Sequence, residues 1–164
     1  MNDNYAVING KKIELTEKQI KALGIVTKKN PFGRVAKLEM YCYIDAFDEV
    51  HCVADEADQS DDMSFECSNY FNEKAFAEQV ALHQLLYRKL LKYAYDNEFE
   101  DEEWDGTKMH AYIIYNFTRK NYDIRWTRNE KEPGTVYFKT PTQATAAFNE
   151  VVMPFMKDHP EFKW

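Results

Sequence analysis

Carboxylates are the residues of this chain best placed, by number and spacing, to do chemistry. Asp55, Glu56, Asp58, Asp61 and Asp62 fall within the segment DEADQSDD. Glu98, Glu100, Asp101, Glu102, Glu103 and Asp105 fall within DNEFEDEEWDG, together with Phe99 and Trp104. Residues 38–73 hold eleven acids and no Lys or Arg, and residues 96–105 hold seven more acids, again with no base. The net charge is −7, from 28 acids and 21 bases; setting those 18 acids aside leaves 10 acids, so the remainder carries +11. Duplex DNA carries one charge per about 1.7 Å of axis, so a DNA-binding groove rewards a dense carboxylate array. Such an array attracts a basic protein at long range, and Phe99 and Trp104 would add apolar anchors. The competing reading is a solvated loop and linker. The two readings differ in whether the stretches converge on one face. The same oxygens invite calcium, but DEADQSDD lacks the D-x-D-x-D-G spacing and distal Glu of an EF-hand loop, so no metal site is expected.

The other reactive residue types form no catalytic pattern. Cys42, Cys52 and Cys67 include no close pair of the C-x₂₋₄-C kind that zinc sites use. Their odd, sparse number favours a reducing compartment, the cytoplasm, where they read as small apolar core residues rather than a disulfide. His51, His83, His110 and His159 are scattered, without an H-E-x-x-H or a nucleophile elbow. The five glycines are isolated, so no phosphate-cradling loop is expected. No enzyme activity and no cofactor are expected. One basic segment, TRKNYDIRWTRNEK, sets Arg119, Lys120, Arg125 and Arg128 beside Tyr122 and Trp126. That mixture suits single-stranded nucleic acid. The alternation, however, puts Tyr122 and Trp126 on one face with Ile124, opposite Arg125, as in a core strand with a solvated reverse.

The elements that position these residues follow from periodicity. Asn9-Gly10 between apolar runs predicts a hairpin over 5–15. Thr16 with Gln19 predicts a capped short helix, closed by Gly24 as its C′ residue. Residues 27–34 read as a connector. MYCYIDAFDEVHCV predicts a hairpin pairing Tyr43 with His51 and Cys42 with Cys52. An acidic loop (54–66), a third strand (66–71) and a long helix (73–95) follow. The linker 96–106 leads to a second hairpin pairing Phe117 with Tyr122, Tyr115 with Ile124 and Ile113 with Trp126. A third strand (135–139) and a helix from Thr140 to about Met153 complete the chain. Tyr70-Phe71 and Ala77 match Tyr137-Phe138 and Ala144 at an offset of 67. The expectation is one α+β domain: an N-terminal hairpin-helix (1–37) and two β-β-β-α units (38–95 and 107–164) that build an antiparallel sheet with helices on one face; two abutting modules are the second arrangement, and the sequence leaves open whether the units share one continuous sheet. No apolar run approaches the roughly 20 residues that cross a bilayer, and the first residues lack the pattern of a secretory signal.

INGKKIELTEKQIKALGI, KKNPFGRV, YCYIDAFDEV, SNYFNEKAFAEQVA and VVMPFMKDHPEFKW together resemble a group of small phage and prophage proteins of Gram-positive bacteria. The resemblance is one of texture and order, without a signature motif, and assigns no functional residue. It implies a mobile-element protein in the cytoplasm of a bacterial host, a setting in which small acidic proteins resemble inhibitors of host defence nucleases, anti-CRISPR proteins among them. The resulting expectation is a non-enzymatic inhibitor that meets a host protein's basic surface, such as a Cas-type nuclease, through the acids of 55–62 and 98–105 with Phe99 and Trp104. A nucleic-acid-binding module and a sponge for a nucleotide signal are the alternatives.

Overall fold

A computed structural model describes residues 5–8, 10–23, 30–99, 104 and 106–164. Strands β1 (Tyr5–Ile8) and β2 (Lys11–Glu14) form the expected hairpin, with Ile8 opposite Lys11 and Gly10 at a φ of 76°. That left-handed conformation costs glycine nothing. The Thr16–Gln19 box opens α1 (Glu17–Ala22): Gln19 Oε1 accepts from the Thr16 N–H at 2.8 Å. Gly24 and residues 27–29 of the connector lie outside the described residues.

Strands β3 (Met40–Ile44) and β4 (Val50–Ala54) pair in the expected register, Tyr43 with His51 and Cys42 with Cys52. The Cys42 N–H and C=O bond Phe71 on the far side of β3. Cys42 and Cys52 are therefore a non-hydrogen-bonded pair, the kind whose side chains approach most closely. Here they are joined by a disulfide, which corrects the expectation of two free core thiols. Cys67 is a free, exposed thiol.

The span expected as acidic loop and third strand holds an eight-residue helix at its centre. Asp58 caps α2 (Gln59–Glu66) by accepting from the Ser60 and Asp61 N–H groups, and the Asp61 carboxylate reaches back to the Asp58 N–H. This is a capping box with Asp in the place where Glu or Gln is usual. The third strand shrinks to one bridge, Phe71 with Cys42. Helix α3 (Lys74–Asp96) then packs Ala77 and Ala81 against Cys42, Ile44 and Phe71.

In the second unit β5 (His110–Asn116) lies between β6 (Asn121–Thr127) and β7 (Tyr137–Phe138). Tyr115 pairs with Tyr122, Ile113 with Ile124 and Ala111 with Trp126. The expected register was two residues off, so every side chain keeps its face. The turn starts earlier because Asn116 Oδ1 accepts from the Thr118 and Arg119 N–H groups, and Phe117 is left outside. Thr140 caps α4 (Pro141–Ala147), as expected. The helix does not stop near Met153. It passes through a π turn (Phe148–Val152) into α5 (Met153–Asp158). A wider turn just before Pro154 relieves the clash a proline ring makes with the preceding helical turn.

The class is α+β. Among the described residues the three antiparallel sheets are separate, β1-β2, β3-β4 and β6-β5-β7, rather than one continuous sheet. Tyr70-Phe71 and Tyr137-Phe138 are all buried, as are Ala77 and Ala144. Helix α3 contacts β3 and β4 at one end and β7, α4 and the π turn at the other, so it lines both cores. Among the described residues no helix is long and apolar enough to cross a membrane.

Candidate partner-binding surface

Segment 55–62 is built on two buried carboxylates. Asp55 is 1% exposed and Asp61 3%. Arg34 Nε and the Tyr70 hydroxyl both donate to Asp55 Oδ2, at 3.0 and 2.8 Å, and the Ala57 N–H donates to Oδ1. The Tyr41 hydroxyl donates to Asp61 Oδ1 at 2.8 Å, while the Glu56 and Asp58 N–H groups take Oδ2. The Tyr41 and Tyr70 rings stack at 3.9 Å. Arg34 Nη1 adds Asp62 at 2.6 Å and so ties the connector to α2.

The electrostatics follow from this geometry. The Arg34 guanidinium, aided by the Tyr70 hydroxyl and against the cost of burial, holds the Asp55 carboxyl at about 2, below its ordinary 3.8. Its carboxylate partners raise Arg34 in turn. Burial, then the bond to a carboxylate, pushes Tyr41 and Tyr70 up to about 12. These tyrosines stay protonated donors at any physiological pH.

Two of the expected contact acids are thus interior groups. Asp55 and Asp61 spend their lone pairs inside the fold and offer none to a partner. Glu56, Asp58 and Asp62 are exposed. Phe99 and Trp104 are corrected in the same way. Phe99 is 7% exposed in the larger core, and Trp104 stacks on His110 at 3.9 Å and meets Tyr137 edge-on. They seal the end of the second sheet and do not point outward as anchors. Glu98 is exposed and accepts from Lys139 Nζ at 3.4 Å. Glu100, Asp101, Glu102, Glu103 and Asp105 lie outside the described residues, so the convergence of the two acidic stretches does too.

The first unit presents a different arrangement, which the alternation did not foretell. Asp62, Met63 and Glu66 occupy the outward side of α2, within one turn of each other, and Met63 is 61% exposed. Phe65, partly exposed, lies edge-on to Tyr70. Leu38, Met40 and Val53 are further exposed apolar side chains of the same unit, close in sequence to exposed Glu39 and Glu56. The signal in the sequence was apolar residues sitting among acids in a short capped helix.

Among the described residues one group could hold a metal: Asp45, Glu49 and His51, whose ligand atoms lie within 4.8 Å of one another. They already bond each other and the turn: Asp45 Oδ1 accepts from the Phe47 and Glu49 N–H groups, and Oδ2 meets His51 Nε2 at 2.9 Å. The expected nucleic-acid sheet also changes. Trp126 is 55% exposed, with the Arg128 guanidinium 5.9 Å from its ring centre, while Tyr122 packs on Phe148 and Trp164.

Comparison of the chain with protein-family models, with curated proteins and with solved structures returned no match.

Proposed function

We propose that the protein is a non-catalytic binding protein that engages a partner of basic surface through the outer side of α2 and its neighbouring acids. The observation that carries this reading is Met63, exposed between Asp62 and Glu66 on a helix held by buried hydrogen bonds. An exposed apolar residue flanked by two acids on such a helix has the make-up of an interface hot spot with an acidic rim. The phage resemblance makes a host defence nuclease of the CRISPR kind the first partner to test. The test is inhibition of that nuclease's cleavage of target DNA by the wild type and by a Glu56→Lys, Met63→Ser, Glu66→Lys variant. These three side chains are exposed and bond nothing in the buried network. A loss of about tenfold or more in potency, with wild-type binding that weakens as salt rises, is expected. Equal potency removes this surface from the reading. Replacing Glu100, Asp101, Glu102 and Glu103 with Ser tests the second acidic stretch separately.

Exposed Trp126 favours one second reading, a nucleic-acid-binding module. Arg119, Arg125 and Arg128 are exposed on or beside β6, the edge strand of its sheet. An electrophoretic shift with single-stranded DNA at low salt, lost on replacing Trp126 and these arginines, would support it. The nucleotide-sponge alternative gains nothing from the cleft between α3, β5 and the chain's last residues, because among the described residues no Lys or Arg lines it to hold a phosphate.

A further inference from the structure

That cleft is a second, independent feature. It has a volume of about 410 Å³, within the range of about 300–1,000 Å³ typical of small-molecule sites. One wall is a stripe of α3, residues His83, Leu86, Tyr87 and Leu90, spaced three and four apart as one face of a helix requires. The floor is Ile113 and Phe138 from the second sheet, and Val136 and Thr135 close the side before β7. Phe162 and Trp164 form the remaining wall.

These walls are held in place without a ligand. The Thr135 N–H donates to the Glu132 carbonyl, and the Glu132 N–H donates to the Tyr137 hydroxyl at 2.8 Å. Gln79 grips the opposite wall twice: its Nε2 donates to the Glu161 carbonyl and its Oε1 accepts from the Lys163 N–H, both at 2.9 Å. The Phe162 ring lies 4.7 Å from His83.

The composition of the lining defines the occupant. The chain is 30% charged, yet among the described residues no Asp, Glu, Lys or Arg lines this cleft. Apart from the His83 imidazole, a buried ionic ligand would find no charged partner among these side chains, and an unpaired ion is costly to desolvate. Rings of His83, Tyr87, Tyr115, Phe162 and Trp164 border an aliphatic interior of Leu86, Leu90 and Ile113. Ring-on-ring contact adds to simple area burial. Tyr87, Tyr115 and Thr135 are the lining residues that carry hydroxyls, the kind of polar group such a site uses for orientation. We infer that this cleft is a preformed binding site for an uncharged, aromatic small molecule.

A matched pair of fluorescent probes tests this on the full chain: N-phenyl-1-naphthylamine, which is neutral, and its 8-sulfonate, which differs by one anionic group. The neutral probe is expected to bind saturably with one site per chain, and about tenfold or more tighter than the sulfonate. The methyl resonances of Leu86, Leu90, Ile113 and Val136 are expected to shift on titration, while those of Ile44 and Val50 in the other core stay still. Thr135→Trp places an indole in the cleft and is expected to weaken the neutral probe by about tenfold or more; Thr118→Trp, on the exposed β5–β6 turn, is not. No saturable binding, equal or reversed preference between the probes, or shifts centred outside the cleft would overturn the inference. So would a folded Thr135→Trp that binds as well as wild type. The methyl map uses the wild type, so it decides even where that variant does not fold.

Discussion

Asp55 shows how one residue type can mean opposite things. In sequence it is one acid among many; in the fold it is enclosed and accepts from Arg34, Tyr70 and the Ala57 N–H. Its carboxyl titrates lower folded, at about 2, than the 3.8 of an unperturbed aspartate. The folded state therefore binds that proton more weakly than the unfolded chain does. The stability it contributes is complete above about pH 4–5 and disappears as the pH falls from 3.8 toward 2. Asp55→Asn is expected to lower the thermal midpoint at pH 7 and to flatten its decline across that acid window, as followed by circular dichroism from pH 2 to 7. An unchanged acid profile would show that Arg34 does not depress this carboxyl. Tyr70→Phe removes one donor to Asp55 and the acceptor of the Val35 N–H. Leaving such groups unpaired costs about 1–3 kcal/mol, measurable by urea unfolding.

At the scale of elements, the legible parts were those set by local rules. The two-residue turn at Gly10, the Thr16–Gln19 box, the β3–β4 register and the Thr140 cap each follow from side chains within a few positions. Helix α2 is not legible locally because its box carries Asp61 where Glu is usual, and because an acid-rich run resembles solvated loop until Tyr41 claims one of its carboxylates. The β5–β6 register differs by two from the one alternation predicts because an Asn116 side chain decides where the turn begins. The exposure of Trp126 and the burial of Phe99 depend on which helix covers which end of a sheet, and no local pattern carries that. The cysteines make the hairpin testable. In protein purified under air, thiol titration in denaturant is expected to find one free thiol, Cys67, and three after dithiothreitol. Reduction removes a constraint typically contributing about 2–4 kcal/mol, so the thermal midpoint should fall while the far-ultraviolet spectrum stays. Three free thiols before reduction would return Cys42 and Cys52 to the role of plain core residues.

The whole molecule is organised by α3. Its first turns complete the smaller core with Ala77 and Ala81, and its later turns complete the larger one with Leu86, Leu90 and Ala94. Gln79 fastens residues 161 and 163 to the second turn of the same helix. A helix shared by two cores transmits the loss of either, because its N-terminal half is held mainly by the packing it loses. The sequence supplies a reporter for this coupling: all three tryptophans, Trp104, Trp126 and Trp164, belong to the larger core or its sheet, and the smaller core has none. Ile44→Ala in the smaller core should cost about 2–5 kcal/mol. It should lower the midpoint seen by tryptophan fluorescence by as much as that seen by circular dichroism, about 4 °C or more. A dichroism transition that splits, with the tryptophan midpoint unmoved, would mean that the units fold independently and that α3 does not carry stability between them. In that case the α2 surface could open while the aromatic cleft stays intact, and ligand binding at the cleft would leave partner binding at α2 unchanged.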